Sequence, residues 1–368
     1  MNAKVVSFGC LNTQLAKDQT NAVLDVLQEA NPRLACRLQV VPSPVSTKAL
    51  KEESFLAAST AEVEFLEEQL LAGEFRLAVV RALDMVLPLR EGLHHAAIPR
   101  RTTPFDAFLT RQNAIIDEMD DGAVIGVLNL RSRIQMSALW PHLEFQVLRG
   151  GMQEALEMLL RKCDLDGLVA PAAVAEHLGL QSIVAEIFNP DLILPSGGQG
   201  IIVVLGRKDD AEAVELLAPL HSEATRHEME AEHAFLQRFA SDLELPVGVL
   251  ARCDGRQVSI AGAVGSSDAA AAVVQNREGS AEDAAGLGTA LAESLLQDDA
   301  ALIGLLEAEF PEGVPEDDDE IVDEDAEVFR ELDPVDEFAS DDALDRACSL
   351  EEHAKSLEPT ADTSDDDF

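Results

Sequence analysis

Between Lys4 and Gly206, short apolar runs alternate with longer amphipathic stretches, and this alternation restricts the fold more than any other feature of the chain. Residues 4–8 read as a strand, 13–29 as an amphipathic helix and 37–42 as a second strand. A helix over 61–72 leads into a strand at 77–80, and 123–128 is a further strand. A helix over 152–162 precedes a strand at 167–170, and 201–206 is apolar enough to be a central strand. This order predicts an α/β fold, with helices packed on sheets. A last region runs from a helix at 225–239 through strands at 247–252 and 257–264 to a helix at 281–297. The C-D-G-R turn at 253–256 between those strands is a hairpin signal.

Charge divides the chain into two parts. Of 69 acidic and 27 basic residues, 24 acidic and 3 basic fall in residues 311–368, although the whole chain is 368 residues long. That segment holds too few large apolar residues to offset its ordering entropy, so a disordered acidic tail is expected there. The body before it keeps 45 acidic and 24 basic residues and enough apolar area for two or three packed domains. An acidic body lacks the basic face that neutralises phosphates, which argues against a nucleic-acid partner. No apolar run is long enough to span a bilayer, and residues 1–9 alternate like a strand rather than a leader. Five scattered cysteines suit reduced thiols in a cytoplasm and give no metal-ligand spacing.

The segment 231–248, A-E-H-A-F-L-Q-R-F-A-S-D-L-E-L-P-V-G, resembles without a gap a porphobilinogen deaminase (hydroxymethylbilane synthase) segment, A-E-R-A-F-L-x-x-L-x-G-G-C-Q-V-P-I-G. Residues 73–93 (G-E-F-R-L-A-V-V-R-A-L-D-M-V-L-P-L-R-E-G-L) are similar to that family's G-E-I-D-I-A-V-H-S-L-K-D-L-P-x-x-L-P-E-G-L. G-V-L-N-L-R-S-R-I-Q at 126–135, L-R-G-G at 148–151 and I-L-P-S-G-G-Q-G at 193–200 follow in the family's order. The resemblance implies two periplasmic-binding-protein-like α/β domains and a small α+β C-terminal domain. The expected spans are 1–98 with a return at 199–217, then 102–195, then 222–309, with the tail after them.

It also implies an activity: condensation of porphobilinogen units with release of ammonia, in tetrapyrrole biosynthesis. Asp84 takes the place of the family's catalytic aspartate, a carboxylate suited to proton transfer and to stabilising a developing cation. Arg131 and Arg149 match arginines that grip substrate and cofactor carboxylates in bidentate fashion. Backbone amides around Gly198, Gln199 and Gly200 are further carboxylate donors by resemblance; by themselves these residues read equally as a tight interdomain turn. No metal is implied, and the body is expected to be monomeric.

The family carries a dipyrromethane cofactor on a cysteine, and that position here is Leu243, which has no nucleophile. Cys253 is the nearest thiol along the chain. Ser132 and Ala155 stand where the family has arginines, with Arg81 and Arg133 a few positions away. Two functions therefore stand open: a divergent hydroxymethylbilane synthase, or a non-catalytic relative that binds or regulates and whose acidic tail contacts a protein partner.

Overall fold

The computed structural model describes residues 5–45, 55–149, 152–239, 246–265 and 272–298. Leu243 and the acidic tail lie outside the described residues. Strand β1 (Val5–Leu11) feeds helix α1 (Gln14–Ala30), where the Thr13 hydroxyl caps the first turn by accepting from the Ala16 amide. Then come β2 (Ala35–Val41), α2 (Phe55–Ala72), β3 (Leu77–Arg81), a tight turn Ala82–Asp84 and β4 (Leu93–Ala97). The chain crosses over to β5 (Asp106–Leu109), β6 (Val124–Val127), α3 (Leu130–Leu139), β7 (Glu144–Val147) and α4 (Met152–Glu157). It continues through β8 (Gly167–Pro171), α5 (Ala172–His177) and β9 (Val184–Ile187). A return crossover delivers β10 (Ile202–Arg207) and α6 (Ala211–Leu217). The last unit is α7 (Glu223–Arg238), β11 (Val247–Asp254), β12 (Gln257–Gly265), β13 (Ala272–Ser280) and α8 (Ala284–Asp298).

The strand orders are β2-β1-β3-β10-β4 and β7-β6-β8-β5-β9, two sheets of five, with β11-β12-β13 as a third sheet. In the first, β1, β2 and β3 are parallel and β10 enters antiparallel between β3 and β4. In the second, β5 plays the equivalent part, antiparallel between β8 and β9. Central strands covered on both faces must be apolar throughout, and β3 (L-A-V-V-R) and β8 (G-L-V-A-P) are buried over their first four residues. The result is the α/β fold expected, with a small α+β unit after it.

The helix expected over 152–162 begins as α4 and widens into a π-helix over Met158–Lys162, closed by Cys163 in the left-handed region. Among the described residues Cys10, Cys36 and Cys253 are free thiols. Among the described residues no helix is long and apolar enough to cross a membrane.

The third unit grips the crossovers through one carboxylate. Glu232 of α7 is fully buried and 2.6 Å from the Arg101 guanidinium, which sits in the first crossover. The same carboxylate accepts from the Gly198 amide at 2.7 Å and the Ala251 amide at 2.8 Å. Arg101 also donates to the Gln199 carbonyl at 3.0 Å. Both chain crossings and β11 thus converge on one ion pair.

Candidate active site

A cavity of about 380 Å³ opens between the first two sheets, lined by Gln19, Arg81, Leu83, Arg100, His177 and the Gly198–Gly200 turn, among others. A larger cavity, about 860 Å³, lies between Phe188 and the outer face of β12 and β13, and none of the sequence-predicted residues lines it. Volume favours the second cavity, but the chemistry favours the first. Two guanidiniums, Arg81 and Arg100, meet the crossover turn there, and Arg81 is paired with Asp84 behind the lining.

Strand β3 brings Arg81 to its carboxyl end, and the turn after it carries Asp84 inward, leaving that residue only 5% exposed. Arg81 donates to both oxygens of Asp84, Nε at 2.5 Å and Nη2 at 2.9 Å, and its Nη2 reaches the Ser59 hydroxyl of α2 at 3.4 Å. A bidentate fork of this kind fixes the carboxylate as well as neutralising it. The arginine one turn away, which sequence alone placed near the family's cleft, holds the expected catalytic aspartate.

Arg131 is also buried, but its donors face inward. It reaches Asp106 at 2.6 Å, the Leu194 carbonyl at 2.5 Å, the Ser132 hydroxyl at 2.8 Å and the Ser196 hydroxyl at 3.1 Å. Asp106 in turn accepts from Gln199 at 2.8 Å, so Gln199 and Arg131 are joined through a carboxylate that sequence reasoning missed. Arg149 is exposed just beyond β7 and does not line the cavity.

The glycines of the return crossover are there for close approach. Gly198 and Gly200 have φ of +78° and +77°, and a Cβ on Gly198 would lie 2.8 Å from the Leu83 nitrogen. On Gly200 it would lie 2.8 Å from the Thr103 carbonyl. Only glycine accepts that conformation at that spacing. The Gly198 amide is directed at Glu232, so among the described contacts this segment acts as a tight interdomain turn.

Glu62, outside the residues that line the cavity, is 9% exposed on α2, in one stripe with buried Leu66 and Leu70 at four-residue intervals. Burial pushes its carboxyl pKa up, as does the Asp84 charge, against the pull of the Ser43 hydroxyl and Arg81.

Cys253 lies six residues along β11 from Val247, roughly 20 Å at ~3.3 Å per residue, with its sulfur 3.9 Å from His227 Nδ1. Burial, then the Glu228 and Asp254 charges, raise the thiol pKa and suppress the nucleophilic thiolate.

Residues 6–215 match the family model described as porphobilinogen deaminase, dipyromethane cofactor binding domain, and residues 227–297 match the porphobilinogen deaminase C-terminal domain. The porphobilinogen deaminase of Roseiflexus castenholzii is 35% identical over 291 residues, 79% of this chain and 95% of that one. Those of Syntrophus aciditrophicus and Carboxydothermus hydrogenoformans are 32% and 31% identical, covering 79% and 80% of this chain and 95% and 94% of theirs. With its first two sheets and its C-terminal unit each matched in order, the chain belongs to the porphobilinogen deaminase family.

Proposed function

We propose that this protein is a divergent hydroxymethylbilane synthase, condensing porphobilinogen units with release of ammonia in tetrapyrrole biosynthesis. The observation that carries the proposal is the Arg81–Asp84 pair beside the cavity between the two α/β units. When the aminomethyl C–N bond of porphobilinogen breaks, its electron pair leaves with nitrogen as ammonia and a cationic methylene pyrrole remains. The Asp84 carboxylate, kept in place by Arg81, is the counter-charge for that cation. The α-carbon of a second pyrrole then bonds to the methylene carbon and loses its proton.

The family model matched by residues 6–215 is that of a dipyrromethane cofactor binding domain, and three observations speak against covalent attachment in this chain. Leu243 offers no thiol, Cys253 lies at the wrong end of β11, and the Arg131 donors are directed at Asp106, Leu194, Ser132 and Ser196. Those same observations favour the alternative function, a pyrrole-binding relative without turnover, with the acidic tail engaging a protein partner. We assign the protein to the cytoplasm, as a monomer.

Incubating the full chain with porphobilinogen separates the two. Ammonia release matching porphobilinogen loss, with a linear tetrapyrrole as product, supports the synthase. Binding without ammonia release supports the alternative.

A further inference from the structure

We propose that Arg100 selects the substrate by a carboxylate arm, as the guanidinium of the smaller cavity that no carboxylate of the chain already holds. The assignment rests on the porphobilinogen reading of the site. The first crossover is fixed on both sides of this residue. The Ile98 amide donates to His221 Nδ1 at 3.2 Å, the Arg101 amide to the Thr225 hydroxyl at 3.0 Å and the Thr102 amide to the Gly200 carbonyl at 3.0 Å. Arg101 turns into the buried pair with Glu232, while its neighbours Arg100 and Thr102 both line the cavity, the alternation of an extended segment. The backbone that places Arg100 is therefore held before any ligand arrives.

Three side chains with basic nitrogens line this cavity: Arg81, Arg100 and His177. Arg81 is taken by both oxygens of Asp84. His177 Nδ1 donates to the Ala173 carbonyl at 2.6 Å, which leaves the neutral ring only an acceptor at Nε2. Arg131 and Arg149, the arginines expected to grip carboxylates, line no part of the cavity. Arg100 makes no ion pair among the described residues, so its fork is open to a carboxylate from outside the chain.

The wall beside it is apolar. Val23 and Val26 of α1, Leu83 of the turn after β3 and Val174 of α5 line the same cavity, and Val26 is left 48% exposed. An exposed arginine on an open surface is a solvated charge. Inside a cleft with apolar walls an ion pair is screened less, and the walls accept a flat ring. The ligand that fits is a small ring with an acidic arm, and porphobilinogen is such a molecule, a pyrrole with two carboxylate arms.

The test is calorimetric binding of porphobilinogen to the full chain, to Arg100→Gln and to Arg100→Lys. The diamide of porphobilinogen, with both arms neutral, is titrated in parallel. We expect Arg100→Gln to weaken porphobilinogen binding roughly 10- to 100-fold, as for loss of one charge-assisted contact. Arg100→Lys should recover part of the loss, since it keeps the charge without the fork. Affinity for the diamide stays the same in all three proteins. Equal porphobilinogen affinity in the wild type and Arg100→Gln would overturn the assignment and leave the substrate reading standing. An equal loss of affinity for both ligands would make the role of Arg100 structural and overturn it as well. No porphobilinogen binding to the wild-type chain would overturn the substrate reading together with the assignment.

Discussion

Arg81 and Asp84 are joined by two hydrogen bonds, 2.5 and 2.9 Å, with only Ala82 and Leu83 between them in the chain. The pair is local in sequence yet sits at the junction of two α/β units, because β3 ends there and the turn Ala82–Asp84 redirects the chain. Asp84→Asn keeps the shape but removes the charge, and Arg81, only 16% exposed at its side chain, loses its carboxylate partner. We expect porphobilinogen consumption to disappear and stability to fall by about 1.5–3 kcal/mol with the fold retained. Residual turnover at the wild-type rate would exclude Asp84 from the chemistry.

Glu232 and Arg101 should be the most sensitive pair for stability. Glu232→Gln leaves a guanidinium only 8% exposed at its side chain without its full counter-charge. Breaking a buried pair from one side costs roughly 3–5 kcal/mol, and here it also loosens α7 and β11 from both crossovers. Denaturant unfolding should show the loss, with the third unit separating from the first two in a distinct transition. A single transition at the wild-type midpoint would show that the ion pair does not govern the assembly of the three units.

His233 gives stability a dependence on pH. Burial, with the nearby His95, lowers its pKa from 6.5 to about 4, and its Nε2 has no hydrogen-bond partner among the described residues. Below pH 6.5 the unfolded chain binds the proton more readily than the folded one. This contribution is therefore complete above pH 6.5 and is lost as pH falls toward 4. At ~1.36 kcal/mol per unit it amounts to roughly 3 kcal/mol. Unfolding midpoints compared at pH 7.5 and 4.5 should differ less in His233→Gln than in the wild type; the same difference in both would remove His233 as a source.

Intact mass tests the missing attachment point. Leucine at 243 forms no thioether, so the purified chain should weigh what its sequence dictates, and aldehyde reagent for pyrroles should give no colour. A covalent pyrrole increment, mapped by digestion, would show that another residue has taken over attachment.

The sequence by itself determined the family, the α/β order of elements and the place of Asp84. Apolar runs, helical period and five short motifs are local signals, legible without knowing what each element touches. Short or partly polar strands escaped it: β7 (E-F-Q-V) and β13 (A-V-V-Q-N-R-E-G-S) are strands because neighbours pair with them. Tertiary structure alone decided the partners. It inserted β10 between β3 and β4, turned Arg131 inward onto Asp106 and joined Arg101 to Glu232 across 131 residues. A charge's partner is fixed by which distant backbone passes within 3 Å of it in a dry interior, and only the folded chain sets that distance.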